Sequence, residues 1–179
     1  MDNQKPTGET AIVIVPPLDI CGFADGYRRL HMPDAVGRIP PHVTVAGPFV
    51  PFDQIEEALP RLESAVKGEG PVVVALRGFA TFPESGILYL YLAHPERVLS
   101  LYRKIHAEFP DYPAYGGQYG EEFTPHMTVG HFEDPVKLEQ AYADLSELRL
   151  FIGWDVEWLT VLYKVEDGSW LAYADISIA

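Results

Sequence analysis

The chain has one cysteine, Cys21, in 179 residues. It permits no internal disulfide, and a lone thiol fits a reducing interior. Positive charge is scarce as well. Thirteen Lys and Arg stand against 26 Asp and Glu, for a net charge of −13. That balance is poor for gripping a long polyanion, because nucleic-acid affinity depends heavily on Lys and Arg neutralising phosphates. A small nucleotide or a short RNA end suits it better than a duplex or a tRNA-sized substrate. Candidates for a local basic cleft are few: Arg28, Arg29, Arg38, Arg77, Arg103 and Lys104. No apolar run nears the roughly 18–20 residues that cross a membrane; the longest, such as 72–76, are strand-sized. The opening MDNQKPTGET lacks the apolar core of a signal peptide. These readings predict a cytoplasmic protein with no membrane association, and no obligate protein partner is evident. The length suits one compact domain or two closely packed lobes.

What the chain does have is a repeated phrase. Residues 41–45 read Pro41-His42-Val43-Thr44-Val45, and residues 125–129 read Pro125-His126-Met127-Thr128-Val129. Chance alone would place only about 0.2 His-x-Thr triplets in a chain with 6 His and 7 Thr. A single His in a half-buried strand is ordinarily structural; two with shared flanks point to function. The β-branched and apolar residues predict strands, with each proline at a first strand position. Residues i and i+2 of a strand share a face. His42 and Thr44 therefore point one way together, as do His126 and Thr128, and Val43, Val45, Met127 and Val129 point into a core. Histidine takes and gives protons near neutral pH, so one imidazole can act as general base and a second as general acid. Threonine hydroxyls can donate to a phosphoryl oxygen. The set needs neither metal nor cofactor. Which histidine is base and which acid stays open.

The two stretches PPHVTVAGPF and FTPHMTVGHF resemble the signature motifs of the two-histidine phosphoesterase superfamily, which includes bacterial 2′-5′ RNA ligase-like proteins. The resemblance covers nearly the whole chain. It implies an α+β fold of two pseudo-symmetric lobes, each an antiparallel sheet with flanking helices, around a central cleft. It implies one such domain over 1–179; the polar opening, residues 1–9, reads as a flexible tail. It also implies metal-independent action on a cyclic phosphate or a 2′-5′ linkage of a nucleotide or RNA end. By motif position His42 and His126 are catalytic, and Thr44 and Thr128 bind the substrate phosphate. Two alternatives remain: RNA 2′-5′ end joining, and a non-catalytic nucleotide-binding module. The chain departs from many relatives at His131, where they carry Arg. Its odd offset from His126 puts it on the wrong strand face unless Gly130 allows a bulge.

Along the chain, residues 11–15 read as a buried strand and 19–30 as an amphipathic helix. Asp53 and Glu56 suggest a capping box for a helix that Pro60 kinks or restarts. Two strands, 72–82 and 86–93, flank a turn, and Pro95 opens a helix. Residues 110–122 form a loop before the second motif. Its Tyr115 and Tyr119 are candidates for stacking on a base. Asp134-Pro135 begins another helix, and strands are expected over 149–152, 157–165 and 170–178. His31, His94 and His106 have no partner motif and read as structural or exposed. A zinc site is not expected, because no Cys pair exists and His126-x₄-His131 is not a metal-helix spacing.

Overall fold

The computed structural model describes residues 5–117 and 123–179. Within them the strands are β1 (Pro6–Ile14), β2 (Val43–Ala46), β3 (Val72–Phe82), β4 (Ile87–Leu92), β5 (His126–His131), β6 (Ile152–Val156), β7 (Trp158–Val165) and β8 (Trp170–Ser177). The helices are α1 (Leu18–His31), α2 (Ile55–Val66), α3 (Glu96–Glu108) and α4 (Pro135–Ser146). Two four-stranded antiparallel sheets result, one ordered β2-β1-β7-β8 and the other β5-β4-β3-β6. We call them sheets A and B. Each is built around a motif strand at its edge, so the sequence repeat is also a repeat of architecture.

The sheets are two-faced because their strands alternate. On β4, Leu88, Leu90 and Leu92 are buried in the common core. On β1, Ile12 and Ile14 do the same. The helices cover these apolar faces: α2 and α4 lie on the sheet of their own lobe, whereas α1 and α3 cross to the other. α1 follows β1 of sheet A yet packs against β5 of sheet B, where the Tyr27 ring meets Phe79 at 5.0 Å. α3 follows β4 of sheet B yet packs on β2 of sheet A, beside α2. This exchange locks the lobes together and brings β2 and β5 into contact at the centre.

Four expectations are corrected. The tail does not extend to residue 9: Pro6–Ile14 is one strand, with Pro6 paired to Val165. No capping box forms at Asp53. Phe52–Gln54 is a 3₁₀ turn running straight into α2, and Gln54 N–H is already satisfied by the Pro51 carbonyl. α2 does not restart at Pro60, an exposed position, but runs unbroken from Ile55 to Val66. The strand expected over 149–152 lies instead at Ile152–Val156, where Trp154 and Val156 are buried and Gly153 and Asp155 exposed. α4 does open at Asp134, whose carboxylate accepts from Val136 N–H at 2.9 Å.

Candidate active site

The two motif strands are alike in detail. In β2, Thr44 pairs with Val13 and Ala46 with Ile12, so Val45 is an extra residue. In β5, Thr128 pairs with Tyr89 and Gly130 with Leu88, so Val129 is the extra one. Each strand therefore bulges immediately after its threonine. Val43, Val45, Met127 and Val129 are all fully buried, whereas His42, Thr44, His126 and Thr128 are half-buried. The i, i+2 alternation holds at both sites.

Both imidazoles are held the same way. His42 Nδ1 lies 2.8 Å from the Pro40 carbonyl, and His126 Nδ1 lies 2.8 Å from the Thr124 carbonyl. A carbonyl oxygen only accepts, so the proton sits on Nδ1 and donates to it. The neutral ring is then left with a bare Nε2, the atom able to accept a proton from a reacting group. Burial pushes the His42 pKa down to about 4; the Pro40 bond opposes this, and nearby Arg28 and His126 add to it. Burial also lowers His126, and its bond to Thr124 opposes the shift. The effect of His126 on His42 reflects their closeness across the β2–β5 contact.

The two rings have different neighbours. Beside His42 lies Arg28, only 2% exposed, which donates to Asp25 at 2.7 Å and to the carbonyls of Ala35 and Ile39 at 3.1 and 2.7 Å. It ties the segment leading into the first motif to α1. His126 sits among aromatic rings: Phe82 edge-on at 5.0 Å, Tyr89 at 5.0 Å, and Tyr115 parallel within 19° at 6.5 Å. Tyr115 has φ +52°, a left-handed backbone rare for a bulky residue. Its N–H donates to the Gly47 carbonyl at 2.7 Å, joining the loop before the second motif to the end of the first. Among the described residues no three His, Cys, Asp or Glu side chains converge as metal ligands.

The structure thus brings together His42, Thr44, His126, Thr128 and Tyr115. His131 joins their side of sheet B. It pairs with Ile87, while Thr128 and His126 pair with Tyr89 and Tyr91, and those three β4 residues share a face. The bulge needed for this is present, and Gly130 is part of it. A Cβ there would come within 2.9 Å of His31 Cβ and of the Phe132 ring. Tyr119 lies outside the described residues. Of the basic candidates, Arg28 is buried and Lys104 pairs with Glu69 at 2.5 Å, so neither lines an open cleft. Sequence reasoning missed Arg28 as an organiser of the first motif, and Phe82 and Tyr89 as walls around His126. The Leu-Tyr alternation of β4 grouped its tyrosines on one face, but nothing local says which strand lies beside them.

The fold has counterparts among known proteins. In fold it is similar to the TT0787 protein of Thermus thermophilus, with a TM-score of 0.69 at 17% identity over 95% of this chain and 97% of that one. It is likewise similar to E. coli LigT, solved in complex with 3′-AMP, with a TM-score of 0.66 at 15% identity over 97% and 98% of the two chains. In sequence it is 28% identical over 164 residues to a Geobacillus kaustophilus protein whose name proposes a phosphoesterase, covering 90% of this chain and 91% of that one. A similarly named Bacillus pumilus protein is 25% identical over 165 residues, covering 90% and 92%. The chain belongs to the 2′-5′ RNA ligase superfamily, whose family model matches residues 16–168.

Proposed function

We propose that the protein is a metal-independent phosphodiesterase that opens a cyclic phosphate, or cleaves a 2′-5′ linkage, on a nucleotide or RNA end. The observation that carries this reading is the matched pair of imidazoles. Each keeps its proton on Nδ1, presents a bare Nε2, and has a threonine two residues on along the strand. One Nε2 takes the proton of an attacking water as its oxygen bonds to phosphorus. The other, protonated, gives its proton to the ribose oxygen as the P–O bond breaks. The hydroxyls of Thr44 and Thr128 donate to the non-bridging oxygens, where charge grows. Net reaction is addition of one water. The two histidines end with their protonation exchanged, and solvent resets them.

Relatives support a nucleotide substrate, since E. coli LigT has been solved with 3′-AMP, phosphate, ATP and NADP+. Tyr115 and Phe82 offer ring surface for a base beside His126, with buried Tyr89 stacked behind Phe82 at 4.3 Å, and His131 is a further substrate contact. Two imidazoles supply both proton transfers, so the chemistry asks for no metal. The test is a panel of 2′,3′-cyclic nucleotides and 2′-5′ dinucleotides assayed with excess EDTA. Turnover that survives chelation and is lost in H42A and H126A is expected. Turnover that requires a divalent ion would contradict the reading. Binding without turnover of any substrate would favour a nucleotide-binding module. RNA end joining is the weaker alternative, given the scarcity of Lys and Arg.

A further inference from the structure

Trp170 opens β8, well away in sequence from either motif, yet the register puts it on the motif face of sheet A. Thr44 pairs with Val13, and Val13 with Thr160. Four residues further along β7, Lys164 pairs with Trp170. Paired residues share a face, as do residues an even number apart on an unbulged strand. Trp170 N–H donates to the Arg38 carbonyl at 2.6 Å, and Arg38 Nη1 donates to the Asp167 carbonyl at 3.0 Å. These bonds hold the segment before the first motif against the β7–β8 end of the sheet.

Between that segment and the start of α1 lies an open hollow of about 390 Å³. Its lining includes Trp170, Arg38, Pro40, Pro41, Leu18 and Asp25. It is not at the histidines, but it adjoins one of them. Pro40, in its wall, supplies the carbonyl that holds His42 Nδ1. The size is within the ordinary range for small-ligand sites. A flat indole, two proline rings and a guanidinium suit a planar heterocycle, which stacks on aromatic and guanidinium planes. Asp25, paired with Arg28 at 2.7 Å, supplies a carboxylate acceptor for ring or amino N–H groups.

We propose that this hollow is a second nucleobase subsite. It takes the base on the His42 side of the scissile phosphate, while Tyr115 and Phe82 flank the base on the His126 side. The placement of the phosphate rests on the phosphodiesterase reading above. The consequence is a substrate class: two nucleosides joined through one phosphate are preferred to a cyclic mononucleotide, which fills only one subsite.

The experiment compares 2′-5′-linked ApA with 2′,3′-cyclic AMP. W170A should lower the ratio of their kcat/KM values about 5- to 100-fold, the range spanned by loss of one base–aromatic stack. The loss should fall mainly in KM, and W170F should restore most of it. An unchanged ratio in folded W170A protein would overturn the subsite. A second arm needs no catalysis. Adenosine, which has no phosphate, should saturably quench tryptophan fluorescence of the H42A/H126A variant, and adding W170F should remove that quench. Absence of quenching, or quenching that survives W170F, would also overturn it. If neither phosphodiester is turned over by the parent protein, the catalytic reading fails while the adenosine arm still decides the subsite.

Discussion

At the residue scale, one backbone carbonyl sets the chemistry of each histidine. The Pro40 and Thr124 oxygens fix the tautomer, and burial keeps the rings neutral. His42→Ala and His126→Ala should each lower kcat by about 10²–10⁴-fold, the usual contribution of a positioned acid or base. Because the two act as a unit, the double variant should be far less impaired than the product of the singles. Thr44→Val and Thr128→Val should cost less and partly in KM. The pH dependence follows from the direction of the shifts. The competent free enzyme carries one proton on the pair, and both pKa values lie below 6.5, with His42 at about 4. A bell-shaped kcat/KM profile with its optimum on the acid side of pH 6.5 is expected; an optimum above pH 7.5 would contradict it. The same shifts act on stability. Between about pH 4 and 6.5 the unfolded chain binds more protons at these histidines than the folded one, so stability falls as pH drops through that window. Thermal melts at pH 7 and pH 5 should differ less in His42→Ala than in the parent. These four side chains were legible in the sequence because strand alternation is local. Arg28 was not, because its importance comes from the distant carbonyls of Ala35 and Ile39 meeting it.

At the scale of the element, the shared feature is the bulge after each threonine. It turns β5 so that His131 shares a face with His126 and Thr128. The sequence stated this as a condition on Gly130, and the condition is met, since pairing is a property of two strands and only the partner β4 reveals it. Gly130→Ala places a methyl within 2.9 Å of His31 Cβ and 3.2 Å of Leu88 Cβ, atoms that move only with their backbones. It should destabilise by about 1–3 kcal/mol, the cost of overpacking a core, measured by denaturant melts. A neutral result would mean that the helix α1 against β5 is looser than it looks. Arg28→Met should cost about 1–3 kcal/mol, the penalty for leaving the carbonyls of Ala35 and Ile39 unpaired, with half-buried Asp25 turning to solvent. Where folding survives, the acid limb of the pH profile should move up as His42 loses its cationic neighbour. Helices with clean periodicity, such as α3, were legible. The edge strand β6 was not, because its alternation is only five residues long and its exposed positions, Gly153 and Asp155, are residue types that strands disfavour.

At the scale of the whole molecule, the two lobes are interlocked: α1 leaves sheet A to pack on sheet B, and α3 returns the exchange. The motif repeat told of two similar halves, but no local pattern announces that each half lends its helix to the other. The exchange is what sets β2 against β5 and so brings two triplets from separate halves of the chain to one place. Net charge belongs to this scale too. With −13 overall, and Arg28 and Lys104 already engaged, affinity for a short nucleotide should depend only weakly on salt. A steep loss of binding between about 50 and 200 mM salt would imply an extended basic surface that the described residues do not show. The central claim, that both His-x-Thr pairs address a single phosphate, is tested most directly by long-range ¹H–¹⁵N NMR of the histidine rings during titration with 3′-AMP. His42 and His126 should both appear as the Nδ1–H tautomer in the free protein. On adding ligand, both Nε2 signals should shift with one shared Kd; a response from only one ring, or two unrelated Kd values, would contradict the account.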